Sequence, residues 1–299
     1  MNAADVTAAD VSAADVTVII PTRDRSALLR RALESLRAQT LAPTAVLVAE
    51  DGGITEATSR VVHEARAAGL AITHIASQGN GAASARNEAL TRTNTSLVAF
   101  LDDDDLWAPT FIERVTAELS TSGVDAVVTD TRIDRGADGA VPHRVRLGQY
   151  REALYRNVGF TGQNAIFRTD AVSAVGGFDP NLRALQDRDL QLRMLRAGST
   201  FSALHEELVT VDQSHSMTRI STSDSRAVGY QQFCRKWRKH APAVARLKMW
   251  RNMWIAQRHS ARRYRRTAGR AMLALHHVLA FGYRPARRAV ERVTISRQR

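Results

Sequence analysis

The first hundred residues alternate between short apolar runs and amphipathic segments, and this alternation limits the possible folds more than any other sequence feature. Short β-branched runs are typical of buried strands, whereas apolar residues three and four positions apart indicate helices. Strand–helix–strand units with short connections build a mostly parallel sheet flanked by helices, so the sequence predicts an α/β fold. Ser26 is the expected N-cap of the first helix. The predicted strands are residues 16–20, 45–49, 71–76 and 96–101, and the predicted helices are residues 26–38, 55–68 and 82–90.

The second half of the chain has a less regular pattern. Residues 125–129 and 164–167 are predicted as strands, and residues 134–150 as a polar loop. Residues 187–197 are predicted as a helix that ends at Gly198.

Three regions of different composition divide the chain. Residues 1–14 repeat Ala-Ala-Asp-Val and contain few large apolar groups, so we expect a disordered N-terminal arm there. Residues 15–225 carry the α/β pattern. Residues 226–299 are rich in arginine and are expected to form a basic α-helical appendage, on which two apolar faces are predicted: Val244, Leu247, Trp250 and Trp254, then Met272, Leu275, Val278 and Leu279.

The positive charge of the protein is concentrated in this C-terminal region. The formal net charge is +12, yet residues 235–299 alone contain 19 Lys and Arg against one acid. Basic helices with an apolar face are typical of segments that lie on an anionic membrane. We favour that partner over a surface for homo-oligomer formation, and both over nucleic acid.

The sequence gives few signs of export or membrane insertion. No Lys or Arg precedes Arg23, and no apolar stretch reaches the roughly 18 residues that a transmembrane helix needs. The single cysteine, Cys234, allows neither a disulfide nor a cysteine-based zinc site within the chain. We therefore expect a cytoplasmic protein, and the basic tail suggests peripheral binding at the inner face of the cell membrane.

Polar residues follow three of the predicted strands. Residues 21–24, 50–53 and 102–105 should meet in one cleft, because ligands of such sheets bind beyond the carboxyl ends of the strands. The four adjacent aspartates at 102–105 repel one another and favour a bound cation. Their oxygens suit Mg²⁺ or Mn²⁺. A solvated acidic turn is the alternative, and the apolar residues on both sides of the run favour the metal.

Six short motifs occur together in a fixed order, and with them the sequence resembles family 2 glycosyltransferases of the GT-A (nucleotide-diphospho-sugar transferase) fold over about residues 16–215. The resemblance implies an inverting enzyme that transfers a sugar from a nucleoside diphosphate sugar to an acceptor hydroxyl, in glycan, polysaccharide or glycoconjugate biosynthesis. The motifs are residues 18–25, 49–53, 85–87, 100–107, 176–179 and 185–190.

The resemblance implies a nucleotide site for UDP, TDP or GDP. Asp51 matches the acid that binds the nucleobase, with an Asp-Gly turn as the alternative. Arg86 could reach a base or a diphosphate, with a solvated surface arginine as the alternative. Arg23 stands where an aromatic residue often stacks on the base. The residues predicted to bind the nucleotide are Pro21, Thr22, Arg23, Asp51, Arg86, Asp102 and Asp103.

The resemblance also implies a metal ligand and a catalytic base. Asp104 matches the direct ligand of Mn²⁺ or Mg²⁺, and His215 is a second candidate whose alternative is a structural role. Asp105 is expected to support the cluster. Asp187 matches the general base, with an N-cap as the alternative; the helix dipole should lower the pKa of its carboxyl.

The resemblance also implies a pocket for the acceptor and the sugar. The acceptor is expected to be a glycan or a lipid-linked glycan, and Gln186 replaces the glutamate that the family usually carries. Trp107 could instead belong to the core. The residues predicted to line the acceptor and sugar pocket are Trp107, Gly162, Gln163, Asn164 and Gln186.

Two other functions stay open at this stage. A non-catalytic GT-A-like scaffold could bind membrane or nucleic acid through its basic tail. A nucleotidyltransferase is disfavoured, because no glycine-rich loop with Lys or Arg follows the first strand to bind a triphosphate.

Overall fold

The computed structural model describes residues 14–147, 150–213 and 224–260. Within these ranges nine strands join in one sheet, and helices cover both of its faces. The strands are β1 (Ala14–Thr22), β2 (Pro43–Asp51), β3 (Ile72–Ser77), β4 (Leu97–Phe100), β5 (Asp105–Trp107), β6 (Ala126–Asp134), β7 (Ala140–His143), β8 (Ala165–Arg168) and β9 (Phe201–Asp212). The helices are α1 (Ser26–Arg37), α2 (Glu56–Ala67), α3 (Ala82–Leu90), α4 (Phe111–Ser122), α5 (Tyr150–Ala153), α6 (Thr169–Ala174), α7 (Gln186–Ala197), α8 (Asp224–Trp237) and α9 (Ala243–Ser260).

The sheet is mostly parallel. Its order is β3-β2-β1-β4-β8-β6-β9-β5, and β7 pairs with the distal part of β6. Strands β1 to β4, β6 and β9 run in one direction, whereas β5, β7 and β8 run against them. The predicted α/β fold is therefore confirmed.

Strand β1 lies in the parallel half of the sheet and is buried on both faces. Val18 and Ile20 pack with Leu29 on one side, whereas Ile19 packs with Phe100 on the other. Successive residues of a strand point to opposite faces, so a strand covered on both sides needs a continuous apolar run. Burial of each such side chain contributes about 1.5–3 kcal/mol.

The predicted elements of the first hundred residues agree with the structure to within two residues at each end, with two local corrections. Ser26 is the first residue of α1 rather than its cap, because Arg25 holds the cap position and the backbone N–H groups of Leu28 and Leu29 bond to its carbonyl. Ala14, assigned to the disordered arm, begins β1 by pairing with Pro43. Residues 1–13 lie outside the described residues.

The second half differs more from the predictions. The predicted loop at 134–150 contains β7, and β5, α4 and β9 were not predicted. The middle of β9 carries His205, Glu206 and Glu207, which are exposed or half-buried and interrupt the apolar pattern. Strand β5 is only three residues long, too short for a periodic signal.

A buried carboxylate holds the end of β2 against β3 and α2. Glu50 accepts hydrogen bonds from the backbone N–H and the hydroxyl of Thr55 at 3.0 and 2.7 Å, and from the hydroxyl of Thr58 at 2.7 Å. Its carboxylate also lies 2.9 Å from Nε2 of His74. The network fixes the backbone directly before Asp51.

Helix α8 packs on α7 through a polar cluster around Asp189, a fully buried residue. Asp189 accepts hydrogen bonds from Nε1 of Trp237 at 2.8 Å and Nε of Arg193 at 2.7 Å. Nζ of Lys236 lies 2.8 Å from Asp189 Oδ1 and 2.6 Å from Asp179 Oδ2. The first turn of α7 is thereby fixed to α8.

Helices α8 and α9 also pack against each other. Phe233 and Trp237 of α8 share an apolar cluster with Met249 of α9 and Leu192 of α7. Helix α8 begins at Asp224, and the division of the chain into residues 15–225 and 226–299 stays a prediction. In the described part of the chain, no helix combines the length and apolar character needed to span a bilayer.

Replacing Asp189 tests the contact between α7 and α8. Asp189→Asn should lower the free energy of unfolding by about 3 kcal/mol, because buried donors lose their anionic acceptor. Asp179→Asn should lower the free energy of unfolding by only about 1 kcal/mol. Asp179 is partly exposed, and Lys236 keeps its ion pair with Asp189 in this variant. Urea unfolding measures both losses, and equal losses would contradict the central role of Asp189.

The Glu50 network predicts a pH dependence of stability. Burial alone would raise the pKa of Glu50, but the hydrogen bonds from Thr55, Thr58 and His74 outweigh it and hold the pKa below its ordinary value of 4.5. The stabilisation by the ionised group is thus fully present above pH 4.5 and is lost as the pH falls through the lowered pKa.

Comparison of the free energy of unfolding of wild type and Glu50→Gln measures the stabilisation by the ionised Glu50 carboxylate. The variant should be less stable by about 1–2 kcal/mol near neutral pH, and the difference should shrink below about pH 4. Glu56→Gln is the matched control, because the Glu56 carboxylate is exposed on α2. A difference that stays constant down to about pH 2 would refute the assignment.

Candidate functional site

The carboxyl ends of β1, β2 and β4 open into a cavity of about 510 Å³. This volume lies within the range of about 300–1,000 Å³ that is usual for small-molecule sites. The predicted meeting of residues 21–24, 50–53 and 102–105 is confirmed, because members of all three segments line the cavity. The lining residues are Pro21, Thr22, Arg23, Arg25, Asp51, Gly81, Ala82, Arg86, Asp102, Asp103, Asp104, Asp105 and Gln163.

Asp51 is a lining residue at the end of β2. Its Oδ1 accepts a hydrogen bond from the backbone N–H of Gly81 at 2.9 Å, and its Oδ2 lies 3.4 Å from Nη1 of Arg23. Gly81 has φ of +92°, a conformation that favours glycine and turns its N–H towards the carboxylate. Asp51 is thus bound to the start of α3 and is more than a residue of an Asp-Gly turn.

Asp103 points towards β1 and is the most buried titratable group of the cavity after Asp105. Thr22 donates to it at 2.8 Å and Nη1 of Arg25 at 3.0 Å. Burial raises the pKa of Asp103 to about 6, and the charge of Asp104 adds to this rise against the opposing effects of Thr22 and Arg25. Asp103 therefore anchors the aspartate run to the first strand.

The other three aspartates share a different edge of the cavity. One carboxylate oxygen each of Asp102, Asp104 and Asp105 lies within 4.8 Å of the others. Ligands on opposite sides of Mg²⁺ are about 4.2 Å apart, so small side-chain shifts would let these oxygens surround such an ion. An all-oxygen donor set also suits Mg²⁺ or Mn²⁺. The residues present thus fit a divalent cation.

Asp105 connects this edge to the far side of the sheet. It is 1% exposed, accepts from Nε2 of Gln163 at 2.7 Å, and accepts from the backbone N–H of Asp212 at 3.2 Å. Its position at the start of β5 allows these contacts, because β5 pairs with β9. Sequence reasoning gave Asp105 only a supporting part, since β5 was not predicted.

Two arginines bring positive charge to the aspartates. Nη2 of Arg86 lies 2.5 Å from Asp102, and its Nη1 lies 3.4 Å from Oε1 of Gln186. Nη1 of Arg25 lies 3.5 Å from Asp104 in addition to its bond with Asp103. Arg25 was not predicted as a site residue; its place in the first motif after β1 was the available signal.

Asp187 lies in the first turn of α7, where the charge of Arg86 acts on it. Leu185 holds the cap position with φ of +64°, so Asp187 is not the N-cap. Burial raises the pKa of its carboxyl, and the charge of Asp102 adds to the rise, against a backbone hydrogen bond and the charges of Arg188 and Arg86. The expected lowering by the helix dipole is therefore wrong, because burial outweighs it.

The predicted acceptor residues divide into two groups. Gln163 lines the cavity, Gln186 contacts Arg86, and a Cβ on Gly162 would lie 3.5 Å from Cβ of Asp187. Trp107 is buried in the core, where its Nε1 donates to the carbonyl of Gln163.

Asn164 is fully buried and bonds to backbone groups on both sides. Its Nδ2 donates to the carbonyls of Thr129 and Gly159, and its Oδ1 accepts from the N–H of Thr161. Neither Trp107 nor Asn164 is among the residues that line the cavity, because both are held inside the protein. His215 lies outside the described residues.

Two family models match this chain, and several known proteins resemble it. The model of "Glycosyl transferase family 2" matches residues 17–176, and that of "Glycosyl transferase family group 2" matches residues 97–288. A pre-mycofactocin glycosyltransferase of Mycobacterium tuberculosis is 31% identical over 211 residues, which cover 67% of this chain and 42% of the relative. Validoxylamine A glucosyltransferase of Streptomyces hygroscopicus is 39% identical over 106 residues, which cover 34% of this chain and 23% of that protein. The chain thus spans less than half the length of either relative.

Solved structures share the fold. One is the mannosyltransferase PcManGT of Pyrobaculum calidifontis in complex with GDP-Man and Mn²⁺, with a TM-score of 0.61 at 21% identity. The match covers 91% of this chain and 82% of the mannosyltransferase chain. S. aureus TarS 1-349, in complex with UDP-GlcNAc, has a TM-score of 0.59 at 19% identity and covers 73% of this chain and 65% of its own. With the family model matching more than half of the residues, the chain belongs to glycosyl transferase family 2.

Proposed function

We propose that the protein is a metal-dependent, inverting glycosyltransferase that moves a sugar from a nucleoside diphosphate sugar to an acceptor hydroxyl. One observation carries the proposal: a single cavity is lined both by the buried Asp51 and by Asp102, Asp104 and Asp105, whose oxygens lie close together. Asp187 lies close enough to Asp102 for the two charges to interact. A nucleoside diphosphate sugar presents a base, a diphosphate and a sugar, and these acids offer groups that could recognise the base, bind a metal at the diphosphate and act on the acceptor of the sugar.

The nucleotide part of the donor would lie between β1, β2 and α3. The carboxylate of Asp51 can accept a hydrogen bond from a ring N–H of a uracil, thymine or guanine base. Arg23 is exposed beside it, and its planar guanidinium can stack on the base. Proteins of similar fold bind UDP-GlcNAc or GDP-Man, which supports a UDP, TDP or GDP sugar as the donor.

A divalent cation, Mn²⁺ or Mg²⁺, would be held by Asp104 and Asp102, with Asp105 beside them. When bound, the ion neutralises negative charge on the leaving diphosphate. Arg86 contacts Asp102 and orients it, while Gln163 and the backbone of Asp212 fix Asp105. His215 remains a candidate ligand from the sequence alone.

Asp187 would act as the general base. The acceptor hydroxyl loses its proton to Asp187 while its oxygen forms a bond to the anomeric carbon, and the bond from that carbon to the diphosphate oxygen breaks. Burial raises the pKa of Asp187, which makes the carboxylate a stronger base than an exposed aspartate. Its position beside Asp102 and Arg86 would place the acceptor next to the sugar.

The acceptor would enter between the Gly162 turn and the start of α7. Gln163 and Gln186 offer amide groups there that can bond to sugar hydroxyls, whereas Trp107 and Asn164 would act by supporting the walls. A glycan or a lipid-linked glycan is the acceptor class that we propose. The scaffold alternative is not favoured, because the acids needed for donor binding occur together in one cavity.

Loss of the metal ligand should abolish metal-dependent donor binding. In a thermal-shift screen of UDP, TDP, GDP and CDP sugars, one donor with Mn²⁺ should stabilise the wild type, by about 2.7 kcal/mol at a hundredfold excess over Kd. Asp104→Ala should lose this stabilisation, as should wild type with a chelator. Asp138→Asn, an exposed acid distant in sequence, is the control that should keep it.

Two outcomes would reject the proposal. One is the absence of stabilisation by any of the nucleotide sugars, with or without metal. The other is a stabilisation that Asp104→Ala leaves intact.

Removing the base should separate binding from catalysis. Asp187→Asn should lower kcat about 10²–10⁴-fold, while the Kd of the donor changes little. Because the pKa of Asp187 is raised, kcat of the wild type should fall on the acidic side at a pH above the ordinary aspartate value of 3.8. Rates and donor titrations with Asp170→Asn as an exposed control measure both effects. Unchanged turnover in Asp187→Asn would assign the base to another residue.

A further inference from the structure

Helix α9 has two apolar faces; the described residues cover one of them and leave most of the other exposed. Ala245, Met249 and Ala256 are buried, and the first two belong to the apolar cluster shared with α8. Val244 and Leu247, in contrast, are 51% and 48% exposed. At 100° per residue the two sets point in opposite directions from the helix axis. Three residues of the predicted common face, Val244, Leu247 and Trp250, therefore point to solvent, whereas the fourth, Trp254, is half-buried.

We define the outer stripe of α9 as Val244, Leu247 and Trp250. Trp250 is 39% exposed, and within the described residues the only other large apolar side chain with comparable exposure is Ile54. Apolar side chains exposed singly are common, but three on one helix face form a patch that marks an interaction site.

The charge around the stripe identifies the kind of partner. Arg246 and Arg251 are exposed beside it, and α9 contains no Asp or Glu. Helix α9 itself carries Arg246, Lys248, Arg251 and Arg258 with no acid, so its surface repels cations and attracts anions. A partner must therefore offer an apolar layer next to a negatively charged one.

We propose that the outer stripe docks onto an anionic lipid bilayer, with α9 lying parallel to the membrane plane. Leucine and tryptophan would enter the boundary between headgroups and acyl chains, while Arg246 and Arg251 would contact lipid phosphates. The length of α9, about 27 Å for 18 residues, allows one helix to lie along the surface. Docking does not depend on the proposed sugar transfer, so either can fail alone.

Other partners fit the stripe less well. A symmetric contact with a second copy would bring the arginines of both copies close together, and like charges repel. A nucleic acid would satisfy the arginines but would place the stripe against phosphates and solvent, leaving the apolar side chains without a partner.

The test uses the full chain and vesicles of one part phosphatidylglycerol to two parts phosphatidylcholine. Wild type should sediment with these vesicles and much less with phosphatidylcholine alone. Leu247→Ser/Trp250→Ser should bind at least about tenfold more weakly, because it loses two inserted side chains. Ile54→Ser is the matched control, an equally exposed apolar residue elsewhere, and should bind like wild type. Thermal melting should show all three proteins equally folded.

A second variant separates charge from insertion. Arg246→Gln/Arg251→Gln should weaken binding to the anionic vesicles and reduce its dependence on salt, while brominated lipid still quenches tryptophan fluorescence. The same quenching should decrease in Leu247→Ser/Trp250→Ser, since this variant lacks Trp250.

Four results would overturn the proposal. Wild type could fail to bind anionic vesicles, or the double serine variant could bind them as well as wild type. Light scattering could reveal a dimer that the double serine variant dissolves, which would assign the stripe to a second copy. Binding to RNA or DNA could be lost in the same variant while vesicle binding persists.

Discussion

Four adjacent carboxylates at the end of one strand are the constraint on which the site depends. Bringing them together costs electrostatic free energy unless donors and cations surround them. The protein supplies these from separate parts of the chain: Arg25 before α1, Arg86 on α3, Gln163 before β8 and the backbone of Asp212 at the end of β9. The aspartate run therefore joins the two halves of the sheet at the mouth of the cavity.

The donors and cations that offset the negative charge differ among the four aspartates, and this difference suggests that the aspartates have different roles. Asp103 is held inside by Thr22 and Arg25, and burial raises its pKa to about 6. Asp102, Asp104 and Asp105 turn their oxygens towards one another, each with a donor on its outer side. The split arises in a turn, because the backbone N–H of Asp105 bonds to the carbonyl of Asp102 at 3.1 Å and brings the two ends of the run together. One acid anchors the loop, and its neighbours converge on a space that a divalent cation would fill.

The predictable parts of the molecule are those that short-range patterns determine. Strands β1 to β4 and the helices between them followed from apolar periodicity, and the meeting of Asp51 with the aspartates followed from the parallel sheet. Strands β5 and β9 did not, because one is three residues long and the other carries acids in its middle. Arg25 and the Gln163 contact were missed for a related reason: both depend on chain segments that are close only in the folded protein.

The sequence predicts correctly that Asp187 lies at the start of a helix, but it predicts the wrong direction for the pKa shift of its carboxyl. A carboxylate in the first turn of a helix is favoured by the dipole, an effect of about 0.3–1 kcal/mol at exposed sites. Burial of Asp187 raises its pKa and outweighs the dipole. Two residues further on, the Asp189 cluster binds α7 to α8. Helices α8 and α9 thus have an inner and an outer side with different roles. The inner side, through Lys236 and Trp237, holds the helix that carries the proposed base, and the exposed outer side of α9 is the surface that we propose for a partner.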